Sequence, residues 1–150
     1  AMILSISKAW AAGGSRTTGR TICQRPFLGV LNDGFPNLLM VLGPHTSRGN
    51  IPRHIEKIVD FNVALIRHMR EQGYSRVEAR SEEAAKWLAQ VVEVNKNRLA
   101  GKIPSWQTGV NANVPGRQNI RVLGYYGGAT RYREIAEQVA DGGYKELMFR

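Results

Sequence analysis

The sequence lacks the features that mark secreted, zinc-binding and membrane proteins. Its 150 residues include one cysteine, Cys23, so neither an internal disulfide nor a cysteine-based zinc site can form within the chain. No apolar run approaches the roughly 18 residues needed to cross a bilayer. The apolar patch at the start has four residues, too few for a signal-peptide core. We therefore expect a cytoplasmic protein with no membrane span and no metal site.

The glycine-rich turn of a dinucleotide-binding domain is also missing. Such a turn has the spacing GxGxxG, which lets the backbone approach a pyrophosphate closely, and neither Gly13-Gly14 nor Gly127-Gly128 fits it. A complete nucleotide-binding domain is therefore not expected within these residues.

Basic residues exceed acidic ones, 21 to 12, which gives a formal net charge of +9. The arginines are interspersed with acidic residues rather than clustered, so a specific nucleic-acid site is not predicted. A solvated surface accounts for most of the basic residues, and the remainder could favour an anionic cofactor. Two other functions stay open: a small basic nucleic-acid-binding protein, and a noncatalytic interaction module that uses its two amphipathic helices.

The composition, 43% hydrophobic and 22% charged, is that of one globular domain. Residues 1–25 predict neither a long helix nor a regular strand. Residues 38–42 (LLMVL) form an apolar run that ends at Gly43-Pro44, which is typical of a strand buried on both faces of a parallel sheet. Its neighbours would come from three weaker candidates, residues 26–30, 120–126 and 144–149. Too few neighbours would leave an apolar edge prone to aggregation.

A helix is predicted over residues 51–72. Asn50 can accept a hydrogen bond from the first turn, Pro52 fits that turn, and Gly73 supplies the left-handed residue at which helices end. Three-and-four spacing predicts one buried face, made of Ile55, Ile58, Val59, Phe61, Leu65, Ile66 and Met69. A strand, a loop and a helix N-terminus in this order present backbone N–H groups to an anionic or carbonyl-bearing ligand in α/β proteins.

A helical segment is predicted over residues 81–100, with Glu82 and Glu83 favourably placed at its positive end and Trp87 in the core. Residues 103–119 have turn chemistry and no core periodicity, which is typical of a functional lid or of a disordered loop. The chain then closes, over residues 120–150, with a strand at 120–126, a helix from about residue 130 to residue 140 that Gly142-Gly143 stops, and an apolar tail. The histidines at 54 and 68 have no partner at ligand spacing, so we expect them to be at the surface or partly buried.

Three segments carry a resemblance to a known family. FPNLLMVLGP (35–44), SWQTGVNANVPGR (105–117) and GYYGGATRYR (124–133) are similar, in this order, to segments of Baeyer-Villiger monooxygenases of the cyclohexanone and phenylacetone monooxygenase kind. The likeness runs from about residue 27 to the end. It implies an α/β fold: the C-terminal portion of a flavoprotein with two Rossmann-like dinucleotide-binding domains, here with a few strands and three main helices. The matching region is residues 26–150, with residues 1–25 outside it.

The resemblance assigns a flavin flank to residues 35–72. It places Gly43, Pro44 and the backbone around Asn50 and Ile51 against the isoalloxazine ring of FAD. The positive end of the helix would stabilise negative charge on that ring. The next residues of the loop would border the substrate carbonyl; they are His45, Thr46 and Ser47.

The resemblance further implies that residues 103–119 are a lid over the nicotinamide cofactor, NADPH. Trp106 matches the residue whose indole reaches the ribose, although a hydrophobic anchor of a surface loop is the alternative. Arg117 would contact a cofactor phosphate, or would be a solvated loop cation.

The implied activity is the insertion of one oxygen atom of O2 beside a ketone carbonyl, giving an ester or lactone. The family's catalytic arginine belongs to a part that precedes this segment, and no residue here matches it. We therefore expect no catalytic residue in this chain, a requirement for the N-terminal FAD- and NADP-binding part, and no turnover by the isolated chain.

Overall fold

The computed structural model describes residues 25–99, 102–105, 108–111, 113–114 and 119–150. These residues form three helices and four short strands. The helices are α1 (Ile51–Gln72), α2 (Ser81–Asn95) and α3 (Ala129–Asp141). The strands are β1 (Pro26–Phe27), β2 (Leu31–Asn32), β3 (Val77–Ala79) and β4 (Leu147–Phe149). An α/β fold with three main helices and a few strands is confirmed.

Helix α1 has the bounds that the sequence predicts. The Asn50 side chain accepts a hydrogen bond from the Arg53 N–H group, and Pro52 lies in the first turn. Gly73 ends the helix in the left-handed conformation, with φ 73°, and its N–H group points back to the Met69 and Arg70 carbonyls. Local capping chemistry therefore decides both ends of this helix.

The expected strand at residues 38–42 is wrong. The Met40 and Gly43 N–H groups donate to the Val30 and Gly29 carbonyls, so this segment lines a turn rather than joining a sheet. Left-handed residues at Asn37 (φ 60°) and Leu42 (φ 57°) interrupt the extended backbone on either side. The side chains are half-buried or exposed rather than enclosed on two faces.

The strands pair as two antiparallel hydrogen-bonded pairs, β1 with β2 and β3 with β4, and no parallel sheet occurs among the described residues. Strand β3 was not predicted; it pairs with β4 from Val77 opposite Phe149 to Ala79 opposite Leu147. Residues 120–126 also fail to form a regular strand. They make a single parallel bridge, between Ser47 and Tyr125.

The core lies where α1, α2 and α3 meet the turn between β1 and β2. Its members are buried apolar side chains from all these elements: Phe27, Leu28, Val30, Leu31, Ile58, Phe61, Leu65, Val77, Ala79, Ala84, Trp87, Val91, Tyr125, Tyr132, Val139, Tyr144 and Leu147. Trp87 is 3% exposed, which confirms its predicted place in the core. Helix α1 packs against α3, and α2 packs against β1.

The buried face of α1 is only partly the predicted one. Ile58, Phe61 and Leu65 are buried as expected. Ile55, Val59 and Ile66 are instead exposed, whereas His54 and Asn62 are buried. The expectation that His54 is at the surface or partly buried is therefore wrong, because the face that meets α3 is rotated toward residues 54, 58, 61 and 65.

The other two helices differ from expectation mainly at their ends. Helix α2 stops at Asn95, short of the predicted residue 100, and continues as a turn through Lys96. Helix α3 matches its prediction within a residue and ends at Gly142. In the ranges that the structure describes, no helix is both long and apolar enough to span a membrane.

Candidate functional site

The loop of residues 43–50 connects the segment at 38–42 to the start of α1. A tight turn opens it: the Thr46 N–H group and its hydroxyl both donate to the Gly43 carbonyl, at 3.3 and 3.0 Å. His45, in the middle of this turn, has a left-handed backbone with φ 71°. The turn directs the next residues inward and leaves Pro44 on the surface.

Backbone hydrogen bonds attach this loop to residues 122–126. The His45 N–H group donates to the Leu123 carbonyl at 3.1 Å, and the Tyr125 N–H group donates to the Thr46 carbonyl at 2.8 Å. The Arg48 N–H group closes the pattern by donating to the Tyr125 carbonyl at 3.3 Å. Two segments almost eighty residues apart in sequence are therefore held side by side.

The His45 ring adds to that attachment. Its Nε2 atom lies 2.9 Å from the Val122 carbonyl, and since a carbonyl only accepts, Nε2 carries the proton. Burial lowers the pKa of His45, an effect opposed by the Val122 and Pro26 backbone groups. The ring is therefore neutral near pH 7 and acts as a hydrogen-bond donor within the protein.

The three residues predicted to border a substrate are brought together, but they lie inside the loop. His45, Thr46 and Ser47 are 6%, 7% and 2% exposed. The hydroxyl of Ser47 donates to the Arg48 carbonyl at 3.3 Å, and that of Thr46 is bound to Gly43. All three side chains thus support the loop from beneath.

The residues predicted to flank a flavin lie on the outside. Pro44, Asn50 and Ile51 are exposed, and Gly43 is half-buried. Asn50 satisfies the Arg53 N–H group through Oδ1 at 3.1 Å, and its carbonyl accepts from the His54 N–H group at 3.1 Å. The first turn of α1 contains no acidic residue, so the partial positive charge of the helix end is not neutralised by its own sequence.

Two glycines that sequence reasoning did not single out shape the underside of the loop. A Cβ atom on Gly29, whose φ is 64°, would lie 2.5 Å from Thr46 Cγ2 and 2.6 Å from the Pro44 carbonyl oxygen. A Cβ atom on Gly124 would lie 2.5 Å from Nε of Arg48. At residue 29 the Pro44 backbone and the left-handed φ require glycine, whereas a larger residue at 124 would have to displace the Arg48 side chain; nothing in the local sequence marks either position.

Asn95 is a further residue that sequence reasoning missed. Its side chain is buried at the end of α2, donates to the Gly124 carbonyl at 2.6 Å and accepts from the Tyr126 N–H group at 3.1 Å. It therefore fixes the segment that in turn supports the loop. An asparagine in the last turn of a predicted helix gives no signal of this role, because both its partners lie about thirty residues away.

The predicted lid is described only in part. Trp106 and Arg117, the two residues assigned to the nicotinamide cofactor, lie outside the described residues. Thr108 is buried, and its hydroxyl lies 2.9 Å from the Ser105 carbonyl and 3.1 Å from the Ile103 carbonyl. The Arg121 N–H group donates to the Thr108 carbonyl at 2.8 Å, which ties this part of the lid to the segment that supports the loop.

Away from the loop, an apolar cleft of about 220 Å³ lies between α1 and α3. Phe61, Tyr132 and Ala136 contribute to its walls. In the described ranges, no three histidine, cysteine, aspartate or glutamate side chains converge as metal ligands would.

No family model matches the chain, whereas individual relatives do. The chain is 37% identical over 119 residues to a phenazine N-monooxygenase of Lysobacter antibioticus and 32% identical over 119 residues to cyclohexanone 1,2-monooxygenase of Acinetobacter sp. Each alignment covers 79% of this chain and 21% of the relative. A Baeyer-Villiger monooxygenase of Pseudooceanicola batsensis is 34% identical over 122 residues, 81% of this chain and 22% of that protein.

Solved structures agree with these relatives. The cyclohexanone monooxygenase of Rhodococcus sp. Phi1, bound to NADP+, superposes with a TM-score of 0.78 at 29% identity, over 85% of this chain and 23% of that one. A closed cyclohexanone monooxygenase structure gives a TM-score of 0.77 at 35% identity, over 83% of this chain and 23% of that one. The chain therefore spans about a fifth of the length of the relatives that it matches. Neither the nucleic-acid-binding alternative nor the noncatalytic one gains support from these matches.

Proposed function

Because this chain is homologous to a portion of the Baeyer-Villiger monooxygenases, we propose that it supplies one flank of the flavin site of such an enzyme. The whole enzyme would use FAD, NADPH and O2 to insert one oxygen atom beside a ketone carbonyl. When FAD is bound and reduced, the flavin is the group that reacts with O2. This chain would contribute shape, hydrogen bonds and charge.

The observation that carries the proposal is the exposed N-terminus of α1, which follows the loop that begins at Gly43-Pro44. The first turn of the helix lacks acidic residues, and the residues at its start, Asn50 and Ile51, are exposed. These features fit the electron-rich edge of an isoalloxazine, which a helix N-terminus stabilises.

The loop beneath this surface would act as a rigid support. Hydrogen bonds to residues 43, 48 and 122–125 hold His45, Thr46 and Ser47 in place. The loop backbone that these residues support should therefore move little. We propose that these three residues border the substrate pocket from behind, setting the position of the Gly43-Pro44 backbone rather than presenting free side chains. A fixed wall of this kind would exclude water from the reacting atoms.

The lid belongs to the same proposal. Trp106 would place its indole N–H group against the cofactor ribose, and Arg117 would contact a phosphate. The link from Thr108 to Arg121 supports this arrangement, since it connects one part of the lid to the segment that underlies the flavin loop.

The isolated chain should be inactive. The sequence contains no GxGxxG turn, and we propose that the dinucleotide-binding part of the enzyme is supplied by polypeptide outside these residues. Without that part, the exposed helix end has nothing to hold a flavin against it.

A chimera tests the proposal. The aligned segment of Acinetobacter cyclohexanone 1,2-monooxygenase is replaced by residues 25–150 of this chain, and the purified protein is examined for flavin absorbance and for NADPH oxidation. We expect a yellow protein whose NADPH oxidation increases when cyclohexanone is added. The isolated chain, treated with FAD in the same way, is the control and should remain colourless.

A chimera that folds but stays colourless with added FAD would refute the proposal. A yellow chimera whose product analysis shows no ester or lactone would retain the flavin role and remove the assigned reaction.

A further inference from the structure

The outward side of α1 carries a stripe of branched apolar side chains. We call it the outer stripe; it consists of Ile51, Ile55, Val59, Val63 and Ile66, which are 44%, 37%, 41%, 49% and 41% exposed. Steps of four, four, four and three residues place them along one face of the helix. The stripe thus runs over most of a helix that is about 33 Å long.

This stripe makes α1 apolar over an unusually wide arc. Viewed down the helix axis at about 100° per residue, the buried residues occupy an arc whose edges are Phe61 and Asn62. That arc and the outer stripe together span roughly 200° of the helix circumference. A helix that covers one core typically has an apolar arc of a little over 100°. The charged residues of α1, such as Glu56, Asp60 and Arg67, occupy the remaining side. The pattern is that of a helix enclosed between two layers.

Only one of those layers is present in the described residues. Helix α3 and the turn between β1 and β2 cover the inner face. At the border between the buried face and the outer stripe, Asn62 donates to the Met40 carbonyl at 3.3 Å, which brings the segment at 38–42 alongside the helix. That segment widens the apolar surface rather than covering the stripe, since Val41 is itself 47% exposed.

We infer that the outer stripe is the docking surface for the remaining polypeptide of the monooxygenase, the part that carries the dinucleotide-binding turns. This inference rests on the proposed function. The relatives are several times longer than this chain, which spans 21 to 22% of them, so they contain the material for a second layer. An exposed apolar face of this extent marks a contact surface rather than a solvated one.

The position of the stripe favours this occupant over a second copy of the chain. Ile51 belongs both to the stripe and to the proposed flavin surface, so the polypeptide that holds the flavin there would continue directly onto the stripe. Two copies would also bring together two chains of net charge +9, which opposes close association.

The test compares Val59→Cys with Val92→Cys in the full chain, with Cys23→Ser as background. Val92 is a matched control because it is 46% exposed on α2 and is not part of the stripe. Each variant is labelled with a maleimide, alone and after co-expression with a cyclohexanone monooxygenase that lacks its aligned segment. As a positive control, this truncated monooxygenase is first shown to co-purify with its own aligned segment when that segment is expressed as a separate chain. Peptide mass spectrometry reads the labelled site.

We expect both cysteines to react at similar rates in the chain alone. In the co-purified complex, labelling at 59 should slow by about tenfold or more, as at the dry centre of an interface, while labelling at 92 should not change. Equal labelling of both sites in the complex, or failure of the chain to co-purify, would overturn the inference. So would concentration-dependent protection of site 59 in the chain alone, because a second copy would then be the occupant. The labelling rate does not depend on flavin colour or turnover. Failure of the docking inference can therefore be distinguished from failure of the proposed function.

Discussion

The two ends of helix α1 have opposite surroundings. At the carboxyl end, His68 lies 5.2 Å from Tyr144 and 5.6 Å from Phe149 between ring centroids, and Tyr74 stacks on Phe149 at 4.9 Å. At the amino end, the Asn50 cap and residues 51–53 are exposed, and the nearest buried residue of the helix is His54. Aromatic packing therefore covers the carboxyl end of the helix, whereas its first three residues remain exposed.

Removing a ring from the closed end should have the largest effect. Tyr144 is 4% exposed and meets Phe61 edge-on at a centroid distance of 5.6 Å. We expect Tyr144→Ala to lower the free energy of unfolding by about 3–5 kcal/mol, as for other buried aromatic truncations. Urea denaturation measures the change.

Tyr74→Ala is the control at the same end, because Tyr74 is 39% exposed. It should cost roughly 1 kcal/mol or less. If both variants lower the free energy of unfolding by the same amount, contacts within the ring cluster, rather than the burial of Tyr144, stabilise this end of the helix.

A methyl group beneath the loop at the open end should have the next largest effect. Gly29→Ala combines left-handed strain, about 1–2 kcal/mol, with overpacking against Thr46 and Pro44, about 1–3 kcal/mol. The free energy of unfolding measures the sum.

Gly34→Ala is a matched control. Gly34 has a similar φ, 78°, but nothing lies within 4 Å of its added Cβ atom, so it should show the strain alone. If the two variants lose the same stability, the close contact between residue 29 and the loop is not important.

The cap at the open end should matter less. Asn50→Ala removes the acceptor of the Arg53 N–H group and should destabilise the chain by about 1 kcal/mol. Asn50→Asp keeps an acceptor and should stay within a few tenths of a kcal/mol of the parent. Thermal unfolding followed by circular dichroism distinguishes the two; a loss as large for Asp as for Ala would contradict the capping role.

The smallest expected effect is on pH dependence. Burial, and secondarily the charge of Arg133, lowers the pKa of His54 below 6.5. Above that pH both the folded and the unfolded states are neutral at this site. As pH falls below 6.5, the unfolded state binds a proton first, so stability decreases until the folded pKa is reached.

We therefore expect His54→Gln to flatten the decline of the urea midpoint between about pH 6.5 and 5. His68→Gln serves as the comparison at the other end of α1. A parent protein whose midpoint rises on acidification would show that the sign is wrong.

The features that were predicted correctly from the sequence depend on residues close together in the chain, and the features that were missed depend on residues far apart in it. The ends of α1, its cap and Gly73 were predicted correctly because each acts within one helical turn. The failure at residues 38–42 arose because an apolar run does not say which backbone groups will pair with it. Strand β3 was missed because its three residues depend on a partner about seventy positions away.

The candidate site divides in the same way. Sequence and resemblance pointed to the Gly43-Pro44 turn and to Asn50; in the structure Pro44 and Asn50 are exposed and Gly43 is half-buried. Reasoning from the sequence alone did not find the residues underneath, Gly29, Asn95 and Gly124, since each one acts on a distant segment.

By itself, the sequence determined that there are three main helices, where α1 begins and ends, and the family to which the chain is homologous, because periodicity, capping residues and motif order are local features of the chain. Only the tertiary structure decided which side of α1 is covered and that His45, Thr46 and Ser47 lie beneath the loop rather than on it. Both outcomes depend on which surfaces come into contact, and burial is a property of the assembled chain, not of any segment within it.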